Sequence, residues 1–136
     1  MQDIHEDAWE GAWGILLIGC DAELSGNIVS DISETQWDAA YGIQLVRTRA
    51  RVSFNTVVGI QGTAWRGAHG IHVNSSSQGV IEGNIVASVR GQESSTGIFN
   101  GSEQLVVRRN NVWAVSNTRS RNPAHPYAGP NGDANL

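Results

Sequence analysis

Ten residues from Trp37 read WDAAYGIQLV; 28 positions earlier the chain reads WEGAWGILLI, and 28 positions later WRGAHGIHVN. The repetition runs through most of the chain. Gly14, Gly42, Gly70 and Gly97 are spaced by 28, 28 and 27 residues, and each is followed by isoleucine: Ile15, Ile43, Ile71 and Ile98. Thirteen or fourteen residues after each glycine comes Asn27, Asn55, Asn84 or Asn110. Two residues beyond each asparagine stands a valine (Val29, Val57, Val86, Val112), and three beyond that another apolar residue (Ile32, Ile60, Val89, Val115). A further apolar column, Leu24, Val52, Ile81 and Val107, precedes the asparagines by three. A fixed period of this length is the mark of a stacked repeat, in which no single copy can bury its apolar face alone.

Within each copy the apolar residues fall into three short clusters of strand periodicity separated by polar turns, with no room for a helix. Three strands per copy, stacked copy on copy, predict an all-β, three-faced parallel solenoid of about four coils, each adding ~4.8 Å. Strand-to-strand crossovers of this kind are right-handed almost without exception. Composition agrees. Glycine is 16 of 136 residues and charged residues are 16%, which suits turns and strands better than helices.

G-I-x-L followed by x-V-x-x-N-x-V resembles the repeat of the pectate-lyase-like superfamily, the right-handed parallel β-helices, over about residues 1–118. The resemblance implies that each asparagine marks a tight turn and that the stacked amides of Asn27, Asn55, Asn84 and Asn110 form a ladder. Asparagine also tolerates left-handed backbone, and its amide can donate and accept along a stack. Because that superfamily contains lyases, hydrolases, epimerases, tailspikes and adhesins, the resemblance constrains the fold more than the function. It implies a secreted or surface location, although no signal peptide is visible.

Met1 falls in the column of Val29 and Ile4 in that of Ile32. The chain is therefore expected to begin inside a coil and to be a piece of a longer solenoid whose further coils are missing. From residue 119 the repeat is lost, and residues 119–136 read as a polar tail or loop containing all three prolines.

In enzymes of the resembling type, a sugar polymer lies along the sheet formed by the G-I-x-L strands. The positions two after each glycine, Leu16, Gln44, His72 and Phe99, are expected to face outward there. Glycoside hydrolysis needs two carboxyls about 5–9.5 Å apart, and this row holds none. The longer loop at the edge of that sheet carries Asp7, Glu10, Glu34, Asp38, Arg66, Arg90 and Glu93. Asp38 and Arg66 share a column one coil apart, and can form a surface ion pair or hydrogen-bond a sugar. Trp9, Trp37 and Trp65 form one ring column; Trp13, Tyr41 and His69 form another. Such rings can fill a corner or serve as a platform for pyranose faces. The expected polysaccharide-binding set is thus Trp37, Asp38, Gln44, Trp65, Arg66 and His72.

AHGIHVNSS, residues 68–76, resembles the histidine motif of polygalacturonases, which would make His69 a catalytic candidate. Ala68 stands where that motif has glycine, however, and the aspartate motifs have no match. His69 and His72, three apart on a strand, are expected on opposite sides, so no shared metal is anticipated. With Cys20 alone, no cysteine metal site arises, and no cofactor is expected. The alternation Arg47, Arg49, Arg51 places positive charge on one face, either solvated or in contact with an anionic polymer. Asn74-Ser75-Ser76 and Asn100-Gly101-Ser102 fit the glycosylation triplet. A net charge of −4 argues against nucleic acid, and no apolar run is long enough for a membrane-spanning helix. The functions in view are polysaccharide binding or processing without a complete catalytic site, a structural or adhesive solenoid, and a polygalacturonase-like hydrolase.

Overall fold

The computed structural model describes residues 4–6, 11–35, 38–63, 66–119 and 123–129. Among these residues, fourteen strands are arranged in three parallel sheets, each strand pairing with its counterpart one coil away. The first sheet contains β2 (Ala12–Ile18), β5 (Ala40–Val46), β8 (Ala68–Val73), β11 (Ser95–Asn100) and β14 (His125–Ala128). The second contains β3 (Asp21–Ser25), β6 (Arg49–Ser53), β9 (Gln78–Glu82) and β12 (Leu105–Arg108). The third contains β1 (Ile4–Glu6), β4 (Ile28–Glu34), β7 (Thr56–Gly62), β10 (Ile85–Gly91) and β13 (Asn111–Asn117). This is the expected three-faced parallel β-solenoid of about four coils. The segment read as a tail contributes β14, which pairs Thr96 with His125 and Ile98 with Tyr127.

Equivalent residues lie in register, so like stacks on like. Ile43 pairs with Ile15 and Ile71, Val57 with Val29 and Val86, Ile81 with Val52 and Val107. These columns form one continuous core in which Ile43, Val57, Ile60, Ile71, Ile81 and Val86 are wholly inaccessible. Burial declines at both ends of the stack, where Ile15, Leu17 and Leu24 on one side and Val112, Val115 and Tyr127 on the other are partly covered.

The glycine and valine columns explain each other. A Cβ built on Gly14, Gly42, Gly70 or Gly97 would lie 2.2–2.3 Å from Cγ1 of Val29, Val57, Val86 or Val112 respectively. It would also lie 2.5–2.6 Å from a carbonyl oxygen of the next coil. The valine methyl of the third sheet occupies the space a side chain on the first sheet would need. Glycine is required there for close approach, since the positive φ values of this chain fall elsewhere.

Two columns of left-handed residues run through all four coils, and Gly19 (φ 60°) and Arg47 (φ 50°) form a shorter third. One precedes each asparagine: Gly26 (φ 68°), Phe54 (55°), Gly83 (66°) and Arg109 (54°). The left-handed position is thus the residue before the asparagine, which corrects the reading that gave this conformation to the asparagine itself. The second column is Asp31 (57°), Gly59 (72°), Ser88 (56°) and Ala114 (55°), inside the third-sheet strands. The pairing ladder passes over it, and Val29 and Ile32, three apart, both point into the core.

The asparagine ladder is present. Asn27, Asn55 and Asn84 each donate both backbone N and Nδ2 to Oδ1 of the asparagine in the following coil, at 2.9–3.0 Å. Nδ2 of Asn55, Asn84 and Asn110 also bonds a carbonyl of the preceding coil, that of Leu24, Val52 and Ile81 at 2.8, 2.9 and 3.0 Å. A second polar stack, absent from the sequence reading, closes the corner between the first and second sheets. Thr48 N donates to Ser77 Oγ at 3.2 Å, and Ser102 Oγ donates to Ser77 O at 2.6 Å. Asn100 and Ser102 are both 1% exposed. Asn100 Nδ2 donates to Leu105 O and its Oδ1 accepts from Ser102 N. That triplet is turn architecture and is closed to glycosylation in the folded chain.

Replacing Asn84 with alanine removes an acceptor shared by two buried donors and leaves Val52 O without its amide. The expected cost is about 1–3 kcal/mol, with a smaller loss for Asn27→Ala at the half-exposed end of the ladder. Urea midpoints of the two variants measure the difference. Gly70→Ala forces Val86 and the Gly97 carbonyl to shift, with an expected loss of about 1–3 kcal/mol or more. An unchanged midpoint would show that the two columns do not interlock.

Candidate functional site

The first sheet presents two rows on its outer face. Register places Trp13, Tyr41, His69 and Thr96 in one row and Leu16, Gln44, His72 and Phe99 in the other. In each strand the two members are three residues apart, yet both face out. The reason is local. Gly42 and Ile43 are both buried, and the pairing ladder passes over Gly42. Two successive inward positions return the next residue to the outer face. The same holds at Gly70 and Ile71.

His69 and His72 are therefore neighbours, with ring centroids 5.1 Å apart at 61°. Strict strand alternation had placed them on opposite sides, and the inward Gly70–Ile71 pair overturns that expectation. The two rings belong to a continuous aromatic layer. Trp13 stacks on Tyr41 at 6.1 Å and Tyr41 on His69 at 5.4 Å. His72 stacks on Phe99 at 4.8 Å and 11° and meets Tyr41 edge-on at 5.2 Å. Offset and edge-on pairs of this kind each contribute roughly 0.5–1.5 kcal/mol beyond area burial.

Polar groups thread the layer. Trp13 Nε1 donates to Gln44 Oε1, and Gln44 Nε2 stands 3.5 Å from His72 Nδ1. At the edge, Asp38 Oδ1 accepts from Ala39 N at 2.8 Å and from Arg66 Nη1 at 3.3 Å. The side chain of Arg66 is half-exposed, and an ion pair in that setting contributes about 0–1 kcal/mol. The remaining members of the expected binding set, Trp37 and Trp65, lie outside the described residues. So does Trp9.

Of the other expected charges, Asp7 and Glu10 lie outside the described residues, and the rest are distributed elsewhere. Glu34 is fully buried at the end of β4, away from any exposed edge. Arg90 and Glu93 are exposed, Arg90 at the end of β10 in the third sheet. Arg51 bonds Glu82 at 2.7 Å, and Arg108 grips the other oxygen of Glu82 through Nε and Nη2 at 2.9 and 2.8 Å. The hydrogen bond from Arg108, assisted by the charges of both arginines against a desolvation cost, holds the Glu82 carboxyl below its usual range. Arg47, Arg49 and Arg51 thus do not act as one free basic face, because Arg51 is engaged by Glu82.

Trp13 and Tyr41 are the members of this surface that residue types alone left open between corner filling and a platform. The signal was the three-residue step across Gly-Ile, repeated in every coil. Burial pushes the Tyr41 hydroxyl up to about 12, with Asp38 adding to the effect and Arg66 opposing it. Burial pushes His69 down to about 3, helped by His72 and opposed by a hydrogen bond with the Arg66 backbone. It pushes His72 down to about 4 against the attraction of Asp38. At neutral pH the layer therefore carries two uncharged imidazoles and an uncharged phenol. His69, 9% exposed, touches the rings of Tyr41, His72 and Phe99, contacts that account for its position without assigning it chemistry.

No protein-family model, no curated protein and no solved structure matches this chain.

The depressed histidines set a pH dependence with a definite sign. In the unfolded chain both imidazoles take up protons as pH falls through about 6.5; in the folded chain they do not until about 4 or below. Their contribution is fully present above that upper value and is lost as pH falls toward the folded values. Glu82 contributes in the same direction, but its share is lost only below the ordinary carboxylate range. The urea midpoint is expected to be lower at pH 5 than at pH 7, and His72→Gln to reduce that difference.

Proposed function

We propose that this solenoid binds a polysaccharide along the outer face of its first sheet. The observation that carries the reading is the combination there of aromatic rings with hydrogen-bonding groups on successive coils. Tyr41, His72 and Phe99 offer half-buried rings, and Gln44, His72, Asp38 and Arg66 offer polar atoms beside them. Such an array repeats at the strand spacing of ~4.8 Å. A ligand with its own short repeat of apolar ring faces and hydroxyls fits it better than a compact small molecule would. The resemblance of the coil sequence to the pectate-lyase-like repeat supports the same class of ligand.

Binding without cleavage is the form of this proposal. The two outward rows contain no carboxylate, and Asp38 at their edge is engaged by Arg66. Hydrolysis by the common route requires a paired acid and base. Affinity should be modest, because an exposed face without a deep pocket leaves much of a bound sugar hydrated.

Retention on an array of acidic and neutral polysaccharides tests the proposal, with new reducing and unsaturated ends monitored in parallel. Retention without product is expected. Phe99→Ala should raise Kd about 2- to 10-fold, the equivalent of one lost ring contact of about 0.5–1.5 kcal/mol. Product formation abolished by His69→Ala would replace this reading with a polygalacturonase-like one. Failure to retain any polymer would leave a structural or adhesive solenoid.

A further inference from the structure

The side-chain amide of Gln44 is engaged at both ends. An indole nitrogen can donate a hydrogen bond but not accept one. Its contact with Trp13 Nε1 therefore sets the amide with Oε1 toward Trp13 and the NH2 toward the following coil. That nitrogen stands 3.5 Å from His72 Nδ1. An amide NH2 is a donor only, so the contact is a hydrogen bond when Nδ1 carries no proton. Three rings pack against the imidazole. Phe99 lies parallel to it at 4.8 Å, with Tyr41 and His69 edge-on at 5.2 and 5.1 Å. No hydrogen bond to His72 Nε2 occurs among the described residues, and the side chain is half-buried on the outer face of the sheet. Burial keeps the ring uncharged at neutral pH, so a single proton must choose between the two nitrogens.

We propose that Gln44 is a positioning residue: oriented by the Trp13 indole, it fixes His72 as the Nε2–H tautomer, so that the outer face of the first sheet presents a neutral N–H donor. The three residues form a one-way relay across three successive coils. Its direction originates in the indole, the one group of the three that cannot reverse its role. Gln44 thereby acts on a ligand through His72 more than by its own contact. A ligand atom that meets His72 Nε2 must supply a lone pair. This last step rests on the polysaccharide-binding reading; the tautomer does not.

Two-bond nitrogen–proton correlation spectra of protein labelled in histidine read the tautomer directly at neutral pH. The unsubstituted chain is expected to show His72 protonated at Nε2 and bare at Nδ1. Gln44→Glu keeps an acceptor for Trp13 but has no donor for Nδ1, so the proton should move to Nδ1. Gln44→Met and Trp13→Phe, which remove one or both links while preserving bulk, should give a mixture of tautomers. Should Gln44→Glu fail to fold, these two variants carry the test. A His72 of the unsubstituted chain that is protonated at Nδ1 or mixed overturns the proposal, as does an Nε2–H tautomer that persists in all the folded variants. On a polymer that the unsubstituted chain retains, Gln44→Glu should bind about tenfold more weakly, one unfavourable acceptor–acceptor contact replacing a hydrogen bond. The expected tautomer in a chain that retains no polymer supports the positioning role and removes the polysaccharide reading.

Discussion

The close approach of the first and third sheets at the glycine column governs this structure. Cγ1 of Val57 sits where a Cβ of residue 42 would be, and the same arrangement recurs at Gly14, Gly70 and Gly97. A contact of this kind tolerates neither a larger residue nor a slip of register, because interiors are packed to crystalline density. It forces each coil to place its glycine opposite its valine, and so keeps the repeat near 28 residues. It also shapes the outer surface. Since the glycine and the following isoleucine both turn inward, each central first-sheet strand shows two outward side chains three apart instead of alternating ones. The aromatic layer is a consequence of the way the core closes.

The corners complement the core by satisfying the polar backbone. A stack of parallel strands leaves donors and acceptors at every turn, and a buried group without a partner costs about 1–3 kcal/mol. One corner meets this demand with asparagine, whose amide bonds the coils before and after it. A second, between the first and second sheets, uses shorter side chains, Thr48, Ser77 and Ser102, in a less regular stack. The difference follows from chain length at the turn. The asparagine turn is compact and nearly identical from coil to coil, whereas the second corner varies, with Asn74 and Asn100 adding their own bonds.

Chemistry on the first sheet is dominated by desolvation. Rings pack on rings closely enough to strip water from Tyr41, His69 and His72, and all three are driven toward their uncharged forms. The formal charges nearest this layer, Asp38 and Arg66, lie at its edge and neutralise each other. Packed rings and neutral hydrogen-bonding groups, more than discrete charges, therefore define this surface.

The sequence by itself determined the period, the three strands per coil, the core columns and the identity of the ladder asparagines. Each depends on residues repeated at a fixed interval, and stacking in register converts that interval directly into contact. The outward direction of Gln44, His72 and Phe99 was legible for the same reason. Only the tertiary structure decided which residue before or at each turn is left-handed, because a glycine, phenylalanine or arginine there shares no chemical type that a pattern could reveal. Only it decided that His69 and His72 meet, since alternation along a strand breaks where two neighbours both turn inward to accommodate the opposing valine. It alone joined Glu82 to Arg51 and Arg108, residues 31 and 26 positions away, and placed Trp13 against Gln44. Arg108 stands directly opposite Glu82 in the register, but the Arg51–Glu82 and Trp13–Gln44 contacts are diagonal between coils, and a diagonal depends on the reach and rotamer of each side chain, which the repeat does not encode.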